Sequence, residues 1–177
     1  MEQPLPTSEP YRHADQLLSA LRVDASLLPI TTYDNGIPHV YVVLDHPGDV
    51  ASLQPDLGAL ATLAREIGAR IIGFNVSAGQ GSAWKTRMFA PADGVPEDAA
   101  TGSAAGPLAL HLTRHGLIPW GEEIRIEQGA EIGRPSTLFA RVSGNDERIE
   151  KIEVSGFAVP VGGGWFDGDL LRSFVAE

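Results

Sequence analysis

The stretch from Arg87 to Leu108 concentrates the residues whose types and spacing can do chemistry. A strand-like segment ending in Phe89-Ala90-Pro91 leads into a paired Glu97-Asp98, then Thr101-Gly102-Ser103, then Ala104-Ala105-Gly106-Pro107-Leu108. The small-residue run predicts a helix over about residues 103–115, capped by Ser103 and stopped by Gly116. Pro107 is then expected in the first turn, where backbone N–H groups have no intrahelical partner. Such a start aims free amides around Gly102 to Ala105 at whatever lies before it, and the helix dipole favours an anion there. A small carboxylate is the natural guest, because Gly102 permits close approach and the hydroxyls of Thr101 and Ser103 add donors. Asp98, at the lip of the same site, can orient a substrate hydroxyl or amine, or move a proton. On spacing alone, Glu97 and Asp98 equally suit a structural role as acids favoured ahead of a helix, and Ala104-Ala105-Gly106 suits a helix packed closely by strands.

Other chemical signals are weaker. Ala78-Gly79-Gln80-Gly81 contains Gly-x-Gly but lacks the rest of a dinucleotide fingerprint and opens no helix. His111 and His115 are four apart, yet no third ligand at helical spacing accompanies them, so no metal is expected; the helix dipole accounts for His115. Trp84 and Phe89 read as core.

The elements that must position this segment are short. Glu2 to Tyr11 carries three prolines and reads as an extended arm, followed by a helix over Ala14 to Leu21. Strands are expected at Ser26 to Tyr33 and Ile37 to Leu44, joined by the turn signal Asp34-Asn35-Gly36, with Val40, Val42 and Leu44 alternating against Tyr41 and Val43. One amphipathic helix is expected from Gly48 to Ile67, ended by Gly68, its stripe facing a core or a partner. Strands follow at Arg70 to Ser77, Trp84 to Ala90, Glu122 to Gln128, Thr137 to Val142 and Ile149 to Val154, with a short helix at Asp169 to Val175. No repeat or linker divides the chain, which reads as one strand-rich α+β domain over residues 1–177.

Composition removes several classes of function. Lys and Arg number 13 against 23 Asp and Glu, and the net charge of −10 makes nucleic acid or an anionic membrane a poor partner. With zero cysteines, disulfide frameworks, thiolate nucleophiles and two-thiol racemase chemistry are excluded. No apolar run is long enough to span a membrane and the start lacks signal-peptide features, so a cytoplasmic protein is expected. The 20 glycines and 13 prolines imply many turns between short strands.

Three blocks, Arg87-Met88-Phe89-Ala90-Pro91, Glu97-Asp98-Ala99-Ala100-Thr101-Gly102-Ser103-Ala104-Ala105-Gly106-Pro107-Leu108-Ala109 and Gln128-Gly129-Ala130-Glu131-Ile132-Gly133-Arg134-Pro135-Ser136, closely resemble the PhzF family of phenazine-biosynthesis isomerases. The resemblance covers about residues 1–164, leaving 165–177 as a tail without a clear counterpart. It implies the diaminopimelate epimerase-like fold, in which each of two lobes wraps strands around a central helix and the active site lies between them. It also implies isomerisation of trans-2,3-dihydro-3-hydroxyanthranilate, or a similar small cyclic carboxylate, by a proton shift without metal or organic cofactor. Asp98 would hold or protonate the substrate, and Gly102 and Ser103 would bind its carboxylate with Thr101 beside them. Asn35 and Gly36 resemble a second segment near the cleft. Thr101 stands where related thiol-dependent epimerases carry cysteine.

Only the second lobe is matched. The family's catalytic glutamate and its histidine partner belong to the first lobe, and no motif of this sequence carries them. One expectation is a separate first-lobe polypeptide that supplies the glutamate. The alternative is a homodimeric small-carboxylate-binding protein that lacks the family's isomerase activity or catalyses a different reaction. A third is a fragment of a longer chain.

Overall fold

Alternation along a single strand organises the fold. In Pro38–Val43, Val40 and Val42 lie in a core with Leu17, Leu21, Leu60 and Phe74, whereas Tyr41 and Val43 lie in a second core with Leu108, Leu112 and Ile124. Both faces of the sheet are therefore covered, each by its own set of helices.

The computed structural model describes residues 1–66 and 73–164. In chain order its elements are β1 (Glu2–Gln3), β2 (Thr7–Pro10), α1 (Ala14–Leu21), β3 (Thr31–Asp34), β4 (Pro38–Val43), α2 (Pro47–Ser52), α3 (Leu57–Glu66), β5 (Gly73–Gln80), β6 (Ala83–Ala90), β7 (Val95–Asp98), α4 (Gly102–Arg114), β8 (Glu123–Gln128), β9 (Ser136–Gly144) and β10 (Ile149–Gly156). The strands form one curled sheet in the order β1-β10-β9-β8-β6-β5-β4-β3-β2, with β7 also on β6. β4 and β5 are parallel and their crossover carries α2 and α3; β6 and β8 are parallel and theirs carries α4. Helices α1 to α3 contribute Leu17, Val50 and Leu60 to the outer core, while α4 fills the inner one. Residues 104–113 of α4 are all buried, as befits a helix enclosed on every side, which bears out the central-helix fold expected from the resemblance.

Several elements differ from the sequence expectation. The Glu2 to Tyr11 arm holds two strands that occupy opposite ends of the sheet, β1 on β10 and β2 on β3, so that Pro4-Leu5-Pro6 bridges its two edges. Ser26 to Ile30 is not strand: Pro29 has no N–H, and the Ser26 hydroxyl takes the place of a ladder partner, accepting from Val43 N–H at 3.0 Å. The expected helix from Gly48 is two, because Pro55 interrupts it between α2 and α3; Ile67 and Gly68 lie outside the described residues. The strand expected from Arg70 is described from Gly73, and the expected helix at Asp169 to Val175 is outside the described residues.

The main correction concerns Pro107. Helix α4 begins at Gly102, which makes Pro107 its sixth residue and an interior proline. It cannot donate to the Ser103 carbonyl, the acceptor four residues back. The Asn35 side chain does so instead, its Nδ2 donating to that oxygen at 3.0 Å. The carbonyls on either side are tied as well, Gly102 by Gln3 Nε2 at 2.7 Å and Ala104 by the Tyr41 hydroxyl at 3.0 Å. Gly106 completes the fit, since a Cβ there would come within 2.2 Å of Gln3 Oε1 and 2.6 Å of Ile152 Cγ2. The close-packing reading of the small-residue run is thus borne out.

Two histidines are buried in the same region. His111 is 0% exposed and its Nδ1 pairs with the Tyr33 hydroxyl at 3.2 Å; burial, then the neighbouring His115 and Arg114, lowers its pKa to about 3. His39, 1% exposed, is lowered to about 4 by burial, against the upward pull of Asp34 and Asp98.

Two predictions follow from this packing. Asn35→Ala is expected to destabilise by about 1–3 kcal/mol because a buried carbonyl loses its donor. In the Pro107→Ala background the backbone N–H is restored and the cost falls below about 0.5 kcal/mol, a coupling that a double-mutant cycle in urea measures. Separately, unfolded histidines bind protons below pH 6.5 whereas folded His39 and His111 resist until about pH 4 and 3, so stability falls with pH through that window. Going from pH 7 to pH 5 is expected to cost about 2 kcal/mol for each; His111→Gln, compared with the parent by denaturant titration at both pH values, removes that share.

Candidate active site at the start of helix α4

The first turn of α4 gathers the residues singled out in the sequence. Thr101 is its N-cap residue, yet no side chain caps the helix. Instead the Thr101 hydroxyl donates to Asp98 Oδ2 at 2.8 Å. The N–H groups that open the helix, at Gly102 and Ser103, have no intrahelical partner. Gly102 is exposed and a Cβ there would meet nothing within 4 Å, so packing does not require the glycine and the space beside it is open.

Ser103 does not cap the helix as expected. Being inside the first turn, it turns its hydroxyl toward the sheet, where Oγ lies 3.1 Å from His39 Nε2. Asn35 and Gly36 reach the region differently. The Asn35 amide is engaged with the Ser103 carbonyl, and Gly36 closes the β3–β4 turn by donating its N–H to Asp34 Oδ1 at 2.8 Å. Asn35 therefore meets the site through the helix backbone. Among the described residues, no hydrogen bond links Asn35 or Gly36 to Asp98, Thr101 or Gly102.

Asp98 and Glu97 occupy strand β7, not a loop. Alternation sends them to opposite faces. Glu97 forms a two-point pair with Arg87, Nε to Oε1 at 2.9 Å and Nη2 to Oε2 at 2.7 Å, with both side chains under 10% exposed. Arg87 Nη1 also donates to the carbonyls of Val50, Ala51 and Leu53, closing the end of α2. Glu97 is thereby structural, and the ion pair ties β7 to the outer layer. Asp98, half-buried, is left facing the helix start.

Three residues escaped the sequence reading as site members. Gln128, at the end of β8, receives the Thr101 N–H at Oε1 (3.2 Å) and donates from Nε2 to the Asp98 carbonyl and the Thr101 hydroxyl, both at 2.8 Å. It clamps the turn between Asp98 and Thr101. His39 and Asn75 lie behind Ser103, Asn75 Nδ2 being 3.3 Å from His39 Nδ1. The available signal was strand alternation, which puts His39 on the inner face with Tyr41, and Gln128 with Ile124 and Ile126.

The site is a surface on this chain. The cavity behind it, lined by Asn75, Thr86, Thr101 and Gln128, measures about 10 Å³, room for one water at most. A groove of about 620 Å³ elsewhere is lined by residues such as Val23, Leu27, Asp45 and Asp49 and contains none of the site residues. Chemically, the start of α4 offers two amides and a hydroxyl to an anion, with a carboxylate held beside them.

Comparison with known proteins bears on the family and the fold. Residues 1–164 match the family described as phenazine biosynthesis-like protein. The chain is 49% identical over 156 residues, 88% of its length, to the trans-2,3-dihydro-3-hydroxyanthranilate isomerase of Pseudomonas aeruginosa, and 47% identical over 164 residues to that of Pseudomonas chlororaphis. Those alignments cover 54% and 57% of the two enzymes, so the chain spans about half the length of the curated relatives it matches. A crystal structure of a PhzF-family phenazine biosynthesis protein from Bacillus anthracis shares the fold, with a TM-score of 0.72 at 19% identity over 88% of this chain and 56% of that one. The match runs from β1 through β10 and takes in every residue of the site, and the chain belongs to the PhzF family of phenazine biosynthesis-like proteins.

Proposed function

We propose that this chain is the substrate-carboxylate half of a cofactor-independent isomerase that shifts a proton on trans-2,3-dihydro-3-hydroxyanthranilate or a similar small cyclic carboxylate. The observation that carries the reading is the hydroxyl of Thr101. By donating to Asp98 it leaves the helix uncapped, so the Gly102 and Ser103 amides are open to the substrate carboxylate and Asp98 is fixed beside the bound ring. In this reading Gly102 and Ser103 hold the carboxylate, Thr101 orients Asp98, and Asp98 carries the proton on one side of the shift. The neighbouring acid Glu97 takes no part at this start of α4, because it is paired with Arg87 on the other face. In this reading the second proton-transfer group is the first-lobe glutamate that the resemblance implies.

That requirement supports a partner, a separate polypeptide corresponding to the unmatched portion of the longer relatives. Past β10 the chain leaves Phe157, Val159 and Val161 at 83%, 80% and 97% exposed, an apolar run that association would cover. A symmetric pair of these chains is the second reading, favoured by the same uncovered run; it binds the carboxylate without the family's chemistry.

The test is turnover of trans-2,3-dihydro-3-hydroxyanthranilate by the chain alone and with the unmatched portion of the Pseudomonas aeruginosa enzyme supplied as a second polypeptide. Activity only in the mixture is expected. Turnover by the isolated chain, or neither activity nor a complex in the mixture, rejects the two-polypeptide reading, and a symmetric dimer that binds carboxylate without turnover favours the second. In the active assembly Asp98→Asn is expected to lower kcat about 10²–10⁴-fold with folding intact. Ser103→Ala is expected to raise KM about tenfold while changing kcat little, the mark of uniform binding. Unchanged kcat in the first variant, or unchanged KM in the second, removes that residue from its role.

A further inference from the structure

We infer that Asn75 fixes His39 as the Nε2–H tautomer, and that His39 in this form is a positioning residue that makes Ser103 a hydrogen-bond donor toward the ligand. The ligand half of this statement rests on the carboxylate reading above; the tautomer does not.

The argument starts from an acceptor with no ambiguity. The Val40 carbonyl can only accept, and the Asn75 side chain approaches it with Nδ2 at 3.4 Å. This sets which way the amide faces. The second hydrogen of the same nitrogen points at His39 Nδ1, 3.3 Å away. A ring nitrogen that receives an N–H must be the unprotonated one. The proton of the neutral ring is then on Nε2, and its partner at 3.1 Å is Ser103 Oγ. Ser103 accepts from His39, and its own proton is left for another acceptor, which in this proposal is the ligand.

Packing holds the ring in place. Asn75 is 2% exposed, and a Cβ at Gly73 would come within 3.0 Å of His39 Nδ1 and 2.6 Å of Met88 Sδ, so the strand beside the ring has no room for a side chain. The arrangement also opposes the imidazolium, because a proton on Nδ1 would face the Asn75 N–H. Burial acts in the same direction, holding the ring pKa near 4 although Asp34 and Asp98 pull it upward. His39 is consequently unable to take the proton of Ser103, which sets this pair apart from a serine nucleophile with its base.

The chain as it stands, labelled with ¹⁵N-histidine, provides the test. Long-range ¹H–¹⁵N spectra at pH 7, with His39 assigned by loss of its signals in His39→Gln, are expected to show protonated Nε2 and unprotonated Nδ1, unchanged at pH 5. A protonated Nδ1 overturns the proposal. Asn75→Asp, which can only accept, is expected to move the proton to Nδ1; an unmoved proton in that folded variant likewise overturns the role of Asn75. Benzoate, followed by calorimetry, reports the consequence. His39→Gln can still present an N–H to Ser103 and is expected to keep affinity within about threefold, whereas His39→Leu loses about tenfold, the scale of one hydrogen bond. Equal affinity in all three proteins overturns the positioning role. If benzoate fails to bind the parent while the tautomer is as stated, the carboxylate reading fails and the tautomer assignment stands.

Discussion

Enclosing a helix that contains a proline is the constraint on which the rest of this structure depends. An interior proline removes one backbone donor and pushes its ring toward the carbonyl four residues back. In α4 that carbonyl is Ser103, and three neighbouring oxygens at the helix start receive side-chain donors from three different places: Gln3 on β1, Asn35 in the β3–β4 turn and Tyr41 on β4. A helix inside a curled sheet has no water to satisfy a displaced carbonyl, so the sheet must supply the donors. The bonds that repair the helix also fix where its first turn sits relative to β4. Gly106 brings Gln3 and Ile152, partners at the β1–β10 end of the sheet, against the next turn.

The site inherits its precision from this arrangement and from the period of a strand. Glu97 and Asp98 are chemically similar neighbours, yet a one-residue step places them in different layers. Glu97 is neutralised by a guanidinium that is also bonded to the end of α2, and this pair holds β7 to a rigid layer. Asp98 projects to the inner layer, where Thr101 and Gln128 set its backbone and one of its oxygens. A buried ion pair is weak evidence for stability. Its contribution here is positional, since it leaves Asp98, and not Glu97, beside the helix start.

The donors gathered for an anion are neutral. Arg87 is engaged on the opposite face and Lys85 is bound to Glu127 and Glu131, and what the first turn of α4 itself offers is amides and hydroxyls. In a chain of net charge −10 this makes recognition a short-range matter. Amide dipoles act within the first turn and fall off quickly, and they discriminate by fit more than by charge. In the proposed reading a ring-bearing carboxylate is held by one end only, with its reacting carbon free to face Asp98.

What could be read from the sequence divides along the same physical line. Local signals were legible: α1 spans Ala14–Leu21 as its leucine spacing predicts, α4 lies within a residue of expectation, and the alternation of β4 and β8 marks true faces. The candidate residues Asp98, Thr101, Gly102 and Ser103 do come together, because three consecutive residues and one close neighbour need only a strand end and a helix start. Relations between distant segments were not legible. Pro107 reads as a first-turn residue because nothing nearby reveals that Asn35, 68 positions before Ser103, replaces its hydrogen bond. Glu2 to Tyr11 reads as an arm because edge strands that pair across the sheet carry too few residues to show a period. His39, Asn75 and Gln128 each reach the site from another strand, across 64, 36 and 27 positions in their respective bonds, and a side chain's partner at that range is decided by how the sheet curls. The chemistry of the segment is written locally, whereas the tautomers, orientations and clamps that make it usable are written in the wrap.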